Sequence, residues 1–183
     1  TLGCKVNQYD TDAVLTQFLQ KGYKEVDFNS RADVYVINTC TVTSSADRKS
    51  RQMIRRAHKN NPEAKIVVMG CLTQIAPQEV AQIEGVNLLV GTDQRGRIGE
   101  ETEALKNGGQ ISLVEDIFAV KEFEDLSAFD FSERTRAVLK IQDGCDQFCT
   151  YCRVPYARGR SRSRRKKSIL QEAQKMIAAG FKE

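Results

Sequence analysis

The amino-acid sequence predicts an α/β protein whose amino-terminal part is a parallel sheet covered by helices. Three apolar runs rich in β-branched residues, at positions 32–38, 65–69 and 86–90, alternate with segments of helical periodicity. Strands that are almost entirely apolar are typical of parallel sheets buried on both faces. Their alternation with helices favours β-α-β units over separate helical and sheet layers.

The first helix is expected at positions 10–21, where apolar residues fall on one face and Gly22 ends the helix. A strand is expected to end just before Cys4. After the first apolar run, Ser44 and Asp47 form a capping-box pattern, which predicts that Ser44 caps the start of the next helix.

Further elements complete the amino-terminal part. Helices are expected at 76–83 and 93–106, and edge strands at 111–114 and 117–120. An acidic linker is then expected at 121–134, because a run of carboxylates there surrounds a turn-forming stretch.

The carboxy-terminal part, residues 135–183, is expected to be a separate β-α unit. A strand is predicted at 137–142 and an amphipathic helix at 168–179. The periodicity of that helix places Met176 and Ile177 on its inner face.

Composition limits the class of protein. Of the 183 residues 40% are hydrophobic, enough for a buried core, and no apolar run reaches membrane-spanning length. No signal peptide precedes Thr1, so we expect a cytoplasmic protein without a membrane partner. Its six cysteines should then be reduced and serve as ligands or nucleophiles rather than disulfides.

The formal net charge of +4 is unevenly distributed. Residues 115–133 contain seven acidic residues and one lysine, whereas residues 153–167 contain eight cations and no acid. A basic stretch of this kind indicates a polyanionic partner.

One short segment carries three thiols. Cys145, Cys149 and Cys152 lie within eight residues, in the spacing Cys-x-x-x-Cys-x-x-Cys. The only histidine, His58, is distant in sequence, so the segment lacks the fourth donor of a tetrahedral zinc site. Three thiolates suit a [4Fe–4S] cluster that leaves one iron open to a reactant.

The other three cysteines each follow an expected strand. Cys4, Cys40 and Cys71 are separated by 36 and 31 residues. Because functional sites of parallel sheets lie beyond the carboxyl ends of the strands, we expect these thiols to converge on one edge. The alternative interpretation is that they are buried cysteines acting as small hydrophobic residues.

The predicted strand, the Cys-x-x-x-Cys-x-x-Cys segment and the following helix resemble the opening unit of the radical S-adenosylmethionine enzymes. In that family three thiolates hold a [4Fe–4S] cluster, the fourth iron binds S-adenosylmethionine, and an electron from the cluster cleaves this cofactor to a radical. The resemblance implies that role for Cys145, Cys149 and Cys152. It also implies that Tyr151 packs near the adenine of the cofactor, the alternative being ordinary loop packing.

Four segments together are similar to the methylthiotransferases within that group. They are residues 1–10, 37–42, 69–71 and 152–159. The resemblance implies a Rossmann-like methylthiotransferase domain over residues 1–120, with a second [4Fe–4S] cluster on Cys4, Cys40 and Cys71. The first β-α unit of a truncated radical S-adenosylmethionine barrel would follow it.

The resemblance also implies a reaction. The Lys-Val-Asn-Gln sequence at residues 5–8 looks most like the subgroup that inserts a methylthio group into threonylcarbamoyladenosine beside the anticodon of tRNA. The partners implied are tRNA and an electron donor protein. Related members would act on isopentenyladenosine in tRNA or on a ribosomal-protein aspartate.

The basic stretch directly after the cysteines is expected to contact RNA phosphates. The candidate residues are Arg158, Arg160, Arg162, Arg164, Arg165, Lys166 and Lys167. On the helix after Cys40, further candidates are Arg48, Arg51, Arg55 and Arg56, for which a solvated helix face is the simpler interpretation.

The family's radical domain needs further strands after Glu183 and usually a small RNA-binding module. We therefore expect this chain to hold cluster ligands but to show little turnover by itself. A non-enzymatic alternative is a zinc-bearing RNA-binding module that uses the thiols structurally.

Overall fold

The structure is a computed structural model that describes residues 1–106, 108–126 and 136–183. In chain order its elements are α1 (Lys5–Gln20), β1 (Val34–Thr39), α2 (Ser44–Asn60), β2 (Lys65–Gly70), α3 (Cys71–Ile75), α4 (Pro77–Ala81), β3 (Val86–Val90), a 3₁₀ turn (Arg95–Arg97), α5 (Ile98–Ala104), β4 (Ile111–Ser112), β5 (Gln142–Asp143), α6 (Val154–Arg158), β6 (Arg162–Ser163) and α7 (Lys166–Ala178).

The strands β1, β2, β3 and β4 form a parallel sheet in that spatial order. The register pairs Thr39 with Gly70 and Met69 with Val90, so the carboxyl ends of the first three strands lie at one edge. This arrangement confirms the predicted α/β class.

Helices bury both faces of the sheet, as near-continuous apolar strands require. Ile66 and Val68 of β2 pack into the same core cluster as Ile54 of α2. Their neighbour Val67 packs into a second cluster with Val14 of α1. Alternate residues of one strand therefore serve two separate cores.

The structure corrects three boundaries in the amino-terminal part. Residues 1–4 form no strand, and α1 begins at Lys5 rather than at position 10. The N-cap of α2 is Thr43, whose Oγ1 accepts a hydrogen bond from the Ala46 amide at 3.1 Å, so the prediction of Ser44 as the cap was wrong. The extended backbone of Thr43 allows this bond, whereas Ser44 already lies within the helix.

The helix predicted at 76–83 is shorter than expected, since α4 covers only Pro77–Ala81, and a separate short helix, α3, precedes it. The two helices meet at Ala76, and Pro77 begins α4 because a proline without an N–H is tolerated only at the start of a helix. The helix predicted at 93–106 begins as the 3₁₀ turn and ends at Ala104.

Strand predictions at the edges were too long. Only Ile111–Ser112 of the first expected edge strand pairs with the sheet, and residues 117–119 form a turn. The strand expected at 137–142 is reduced to Gln142–Asp143, which pairs antiparallel with β6.

Helix α7 turns a polar face inward. Met176 is buried as predicted, but Ile177 is 71% exposed, so its inward assignment was wrong. The buried carboxylate of Glu172 explains the rotation, because it forms an ion pair with buried Arg164 and accepts a hydrogen bond from the Tyr9 hydroxyl at 3.0 Å.

Positions 127–135, which include most of the expected linker, lie outside the described residues. The part of the linker that is described binds the core: Glu124 accepts a hydrogen bond from Arg95 at 2.7 Å, and Asp125 accepts one from Arg164 at 2.7 Å. Among the helices of the described ranges, none combines the length and hydrophobicity needed to cross a membrane.

Candidate functional site

Two of the candidate ligands lie side by side at the carboxyl edge of the sheet. Cys40 directly follows β1 and Cys71 directly follows β2, and the strand residues before them, Thr39 and Gly70, are register partners. Both cysteines are 5% exposed. The parallel register therefore brings together two thiols that are 31 residues apart in the sequence.

Cys4 is held beside Cys40 by a short backbone connection. The Leu2 amide donates to the Asn38 carbonyl at 2.9 Å, which ties the residues before Cys4 to the end of β1. At Gly3, where φ is +104°, a Cβ atom would lie 3.0 Å from Cys40 Sγ. Only glycine allows so close an approach in this left-handed conformation.

Asn7 connects this corner to the second cysteine segment. Its fully buried side chain donates to the carbonyls of Leu2 and Thr39, both at 2.9 Å. Its Oδ1 accepts a hydrogen bond from Arg158 Nη2 at 2.8 Å and faces Cys4 Sγ at 3.6 Å. Asn7 thus fixes the position of the Cys4 segment relative to β1 and Arg158.

The electrostatic environment of Cys71 combines opposing influences. Burial raises the pKa of its thiol, Arg158 opposes the increase, and the nearby Cys40 and Cys4 add to it. The register of β1 with β2 and the close approach of Gly3 to Cys40 bring Cys4, Cys40 and Cys71 into one neighbourhood. A bound cation would remove the cost of ionising them, since metal-ligating cysteines bind as thiolates.

The second group of thiols occupies a more open loop. Cys149 is exposed, while Cys145 and Cys152 are half-buried. The Cys145 amide donates to the Gly159 carbonyl at 3.1 Å, and the Cys152 amide donates to the Cys149 carbonyl at 2.9 Å. The first bond joins the start of the loop to the residue after α6, and the second forms a turn within the loop, whose thiols remain at least partly exposed.

Backbone and aromatic contacts shape that loop. Gly144 has φ of +77°, and a Cβ atom there would lie 2.1 Å from the Arg160 carbonyl oxygen. Phe148 also has a positive φ, and its ring stacks on Phe118 with 6.2 Å between centroids. Tyr156 meets the Phe148 ring edge-on at 5.7 Å. Sequence reasoning did not identify this aromatic cluster, because its members are 30 and 8 residues apart.

Tyr151, the residue expected near the adenine of a cofactor, is 88% exposed. Its ring does not pack within the loop, so the alternative interpretation of ordinary loop packing does not hold. The side chain stands free directly before Cys152.

A buried ionic network joins the two cysteine groups, and sequence reasoning missed it. Lys140 Nζ donates to Asp10 Oδ1 at 2.8 Å and to Asp143 Oδ2 at 2.6 Å. Arg158 donates to the same two carboxylates, at 2.9 Å and 2.8 Å. Arg95 completes the network through an ion pair with Asp10. The residues come from α1, the 3₁₀ turn, the segment 140–143 and α6, so no local pattern could have revealed the network.

The predicted RNA-contacting residues divide into two sets. Arg158, Arg162 and Arg164 are buried, and the carboxylates described above bind the first and third of them, so these three are not available to phosphate as the sequence suggested. The other four are exposed. They are Arg160, Arg165, Lys166 and Lys167.

All six cysteines lie in the described part of the chain, and all are free thiols. Within that part, no three His, Cys, Asp or Glu side chains are arranged around a single ion. A [4Fe–4S] cluster offers a separate iron to each thiolate, so its ligands need not approach a common point. The donor chemistry of both groups, three thiols without histidine, fits such a cluster.

The fold and the two thiol groups define a class of protein: a parallel α/β domain with three cysteines at its functional edge, joined to a Cys-x-x-x-Cys-x-x-Cys loop. Comparison with known proteins gives a family match for the amino-terminal half and relatives for the whole chain. The family described as Uncharacterized protein family UPF0004 matches residues 1–91. Residues 1–91 carry the domain of that family, and the whole chain is similar to proteins named as tRNA methylthiotransferases.

Three relatives illustrate the similarity. The threonylcarbamoyladenosine tRNA methylthiotransferase MtaB of Bacillus subtilis (strain 168) is 47% identical over 184 residues, which is 100% of this chain and 41% of that protein. The protein of the same name from Aquifex aeolicus (strain VF5) is 44% identical over 100% of this chain and 45% of its own length. The tRNA-2-methylthio-N(6)-dimethylallyladenosine synthase of Thermosipho africanus (strain TCF52B) is 32% identical, with coverage of 100% and 42%. The chain spans about two-fifths of the length of these relatives.

Proposed function

We propose that the protein containing this chain transfers a methylthio group to threonylcarbamoyladenosine in tRNA, with two [4Fe–4S] clusters and S-adenosylmethionine as cofactors. The observation that carries the proposal is the contact between the segments that carry the two cysteine groups. Arg158, six residues after Cys152, donates to Asn7 Oδ1 at 2.8 Å, and the same oxygen lies 3.6 Å from Cys4 Sγ. A reaction that needs both groups on one substrate requires such a connection.

Cys4, Cys40 and Cys71 would hold one cluster, and Cys145, Cys149 and Cys152 the other. When bound, these clusters would supply the electron that cleaves S-adenosylmethionine and the sulfur that is transferred. The difference in burial agrees with two roles. The first group is enclosed apart from Cys4, whereas the second has accessible thiols beside which a cofactor can bind.

The remaining residues of the site orient these ligands. Asn7 and Arg158 fix the distance between the two groups, and the aromatic cluster around Phe148 fixes the loop that carries the second. Tyr151 is free to cover the adenine of S-adenosylmethionine, because its exposed ring has a face available for stacking.

The exposed cations Arg160, Arg165, Lys166 and Lys167 provide an approach for the phosphates of tRNA. Arg164 and Arg158 support this surface from inside through their ion pairs. An electron donor protein and a cytoplasmic location are parts of the same proposal, since the cluster chemistry needs a reductant and tRNA is modified inside the cell.

Two measurements test the proposal. Anaerobic reconstitution should give about eight irons and eight sulfides per chain, as expected for two [4Fe–4S] clusters. One or two zincs without iron would instead indicate a zinc-bearing RNA-binding module.

The substrate is tested by nucleoside mass spectrometry of tRNA from cells that lack the full-length gene and from cells that re-express it. The methylthio derivative of threonylcarbamoyladenosine should disappear and return. Its persistence in the deletion, with loss of the dimethylallyladenosine derivative, would assign the other tRNA substrate. Unchanged tRNA would redirect the assignment to the ribosomal-protein aspartate.

A further inference from the structure

A basic cleft opens at the start of α2, outside both groups of cysteines. It has a volume of about 600 Å³. The residues that characterise it are Thr41, Thr43, Arg48, Arg51, Arg55 and Arg153. Four arginines thus face a cleft whose lining includes one carboxylate, Asp47.

Most of this positive charge is not neutralised by the protein. Arg51 is bound to Asp47 at 2.8 Å and to Glu79 at 2.7 Å. Arg48, Arg55 and Arg153 are exposed, and within residues 1–106, 108–126 and 136–183 none of these three has a carboxylate at ion-pair distance. Three guanidinium groups on one cleft repel each other unless an anion occupies it.

The cleft also lies between the two cysteine groups. Thr41 directly follows Cys40, and Arg153 directly follows Cys152. The two residues meet at the cleft, where Arg153 Nη1 lies 3.5 Å from Thr41 Oγ1. An anion bound there would therefore be next to both groups of candidate cluster ligands.

We infer that this cleft binds a backbone phosphate of the RNA substrate next to the nucleotide that is modified. The inference rests on the proposed function, because RNA is the polyanion that must reach the cysteine groups. One planar guanidinium group can bind two oxygens of a phosphate through two parallel hydrogen bonds. The amino terminus of the 17-residue helix α2 adds partial positive charge.

The size and the boundaries of the cleft favour a phosphate of an RNA chain over a small free anion. Several arginines spread over two turns of α2 exceed what one small anion can contact. A second cavity of about 510 Å³ continues along the helix and shares Arg51 and Arg55, but its lining combines Lys59 with Glu79 and Glu84. The excess of cations over carboxylates is therefore larger in the first cavity, where we place the phosphate.

Helix α2 offers a matched pair of double variants. Arg48→Gln with Arg55→Gln removes two charges seven residues apart, on the face that lines the cleft. Lys49→Gln with Arg56→Gln removes two charges of the same spacing one position further round the helix, outside the cleft. Both pairs are on the surface, so circular dichroism and the unfolding midpoint should match those of the unchanged protein.

The affinity test uses the full-length protein, reconstituted anaerobically, and an anticodon stem-loop RNA that carries threonylcarbamoyladenosine. The cleft variant should bind this RNA roughly tenfold more weakly, and the slope of log affinity against log salt should become shallower by about 1.4, about 0.7 for each lost contact to single-stranded RNA. The control pair should change affinity by less than about threefold. Inorganic phosphate at about 10 mM, a concentration on the order of the Kd of a weak site for a single ion, should not displace the RNA.

The outcomes separate this inference from the function itself. Equal weakening by both pairs, or none by the cleft pair, overturns the cleft as a phosphate site even if methylthiolated nucleoside is still formed. Displacement of RNA by inorganic phosphate also overturns it in favour of a small-anion site. If binding depends on Arg48 and Arg55 but no methylthio product appears with the unchanged protein, the proposed function fails and the RNA site stands.

Discussion

Arg158 and Asp10 are 148 residues apart in the sequence and form an ion pair of 2.9 Å inside the protein. Arg158 also binds Asp143, and Asp10 also binds Lys140, so the pair is the centre of the buried network. Through it, the segment that follows the second cysteine group is attached to the helix that follows Cys4.

Replacement of Arg158 by methionine should destabilise the protein by about 3–5 kcal/mol. The reason is that Asp10 and Asp143 would remain buried with less neutralising charge, which is the costly way to break a buried ion pair. Arg160→Met is the control, because its side chain is 67% exposed and its ion pair with Asp146 is long, at 3.6 Å. Urea unfolding of both variants measures the difference, and equal midpoints would contradict it.

The network also predicts how stability depends on pH. Burial alone would raise the pKa of Asp143, but Arg158, Lys140 and Arg95 together lower it below its ordinary value, and the same cations lower the pKa of Asp10. A carboxyl whose pKa is lowered in the folded state stabilises that state at pH values above the carboxyl pKa in the unfolded chain, which is about 4. That stabilisation should be lost progressively as the pH falls below about 4.

Asp143→Asn tests this dependence. Each such carboxylate adds up to about 1.4 kcal/mol per pH unit to the slope of the unfolding free energy. The variant should be less stable at neutral pH and should show a shallower slope between about pH 4 and pH 2.5. Asp146→Asn, at an exposed position, should keep the original slope. Parallel curves for all three proteins would remove Asp143 from the acid response.

The start of α2 gives a direct test of the corrected cap. Thr43→Ala should reduce stability by about 1 kcal/mol, because the Ala46 amide would lose its acceptor at the helix terminus. Ser44→Ala should have almost no effect, although the sequence pattern suggested Ser44 as the cap. Thermal unfolding of the two variants distinguishes them, and a larger loss for Ser44→Ala would reverse the assignment.

The sequence predicted the buried strands well. The predicted bounds of β3 are those observed, and β1 and β2 differ by one or two residues, because parallel strands buried on both faces are continuous apolar runs. The position of Cys40 and Cys71 at neighbouring strand ends followed from that regularity. Helix boundaries were less accurate, since Thr43 and Ser44 have equivalent side chains and only the backbone conformation decides between them.

Local composition could not predict which cations of the basic stretch are buried and which are exposed. Arg158 is internal because its partner Asp10 is supplied by a segment 148 residues away, and Arg164 is internal because Glu172 of α7 and Asp125, 39 residues before it, both bind it. A pattern of charges along the chain contains no information about which carboxylates the fold will bring to it. The same limit explains why Asn7, although it lies in the Lys-Val-Asn-Gln sequence, was not recognised as a junction: its partner Arg158 is 151 residues away.

Gly3 provides the sharpest test of the first thiol group. A methyl group at this position would lie 2.9 Å from Cys40 Cβ and 3.0 Å from Cys40 Sγ, so Gly3→Ala must displace the thiol or the backbone before Cys4. Gly22→Ala is a matched control. Gly22 also has a positive φ, of +85°, but a methyl group there would have no heavy atom of the described chain within 4 Å.

Both glycine variants should therefore share a backbone cost of about 1 kcal/mol or more, and only Gly3→Ala should disturb cluster binding. After anaerobic reconstitution, Gly3→Ala should retain about four irons per chain, held by Cys145, Cys149 and Cys152, while Gly22→Ala should retain about eight. Iron and sulfide analysis, with the visible absorption of the cluster as a second readout, measures this difference. Equal iron in both variants would show that the contact between Gly3 and Cys40 does not control the first site, whereas complete loss of iron from Gly3→Ala would show that the two cysteine groups bind cooperatively through Asn7 and Arg158.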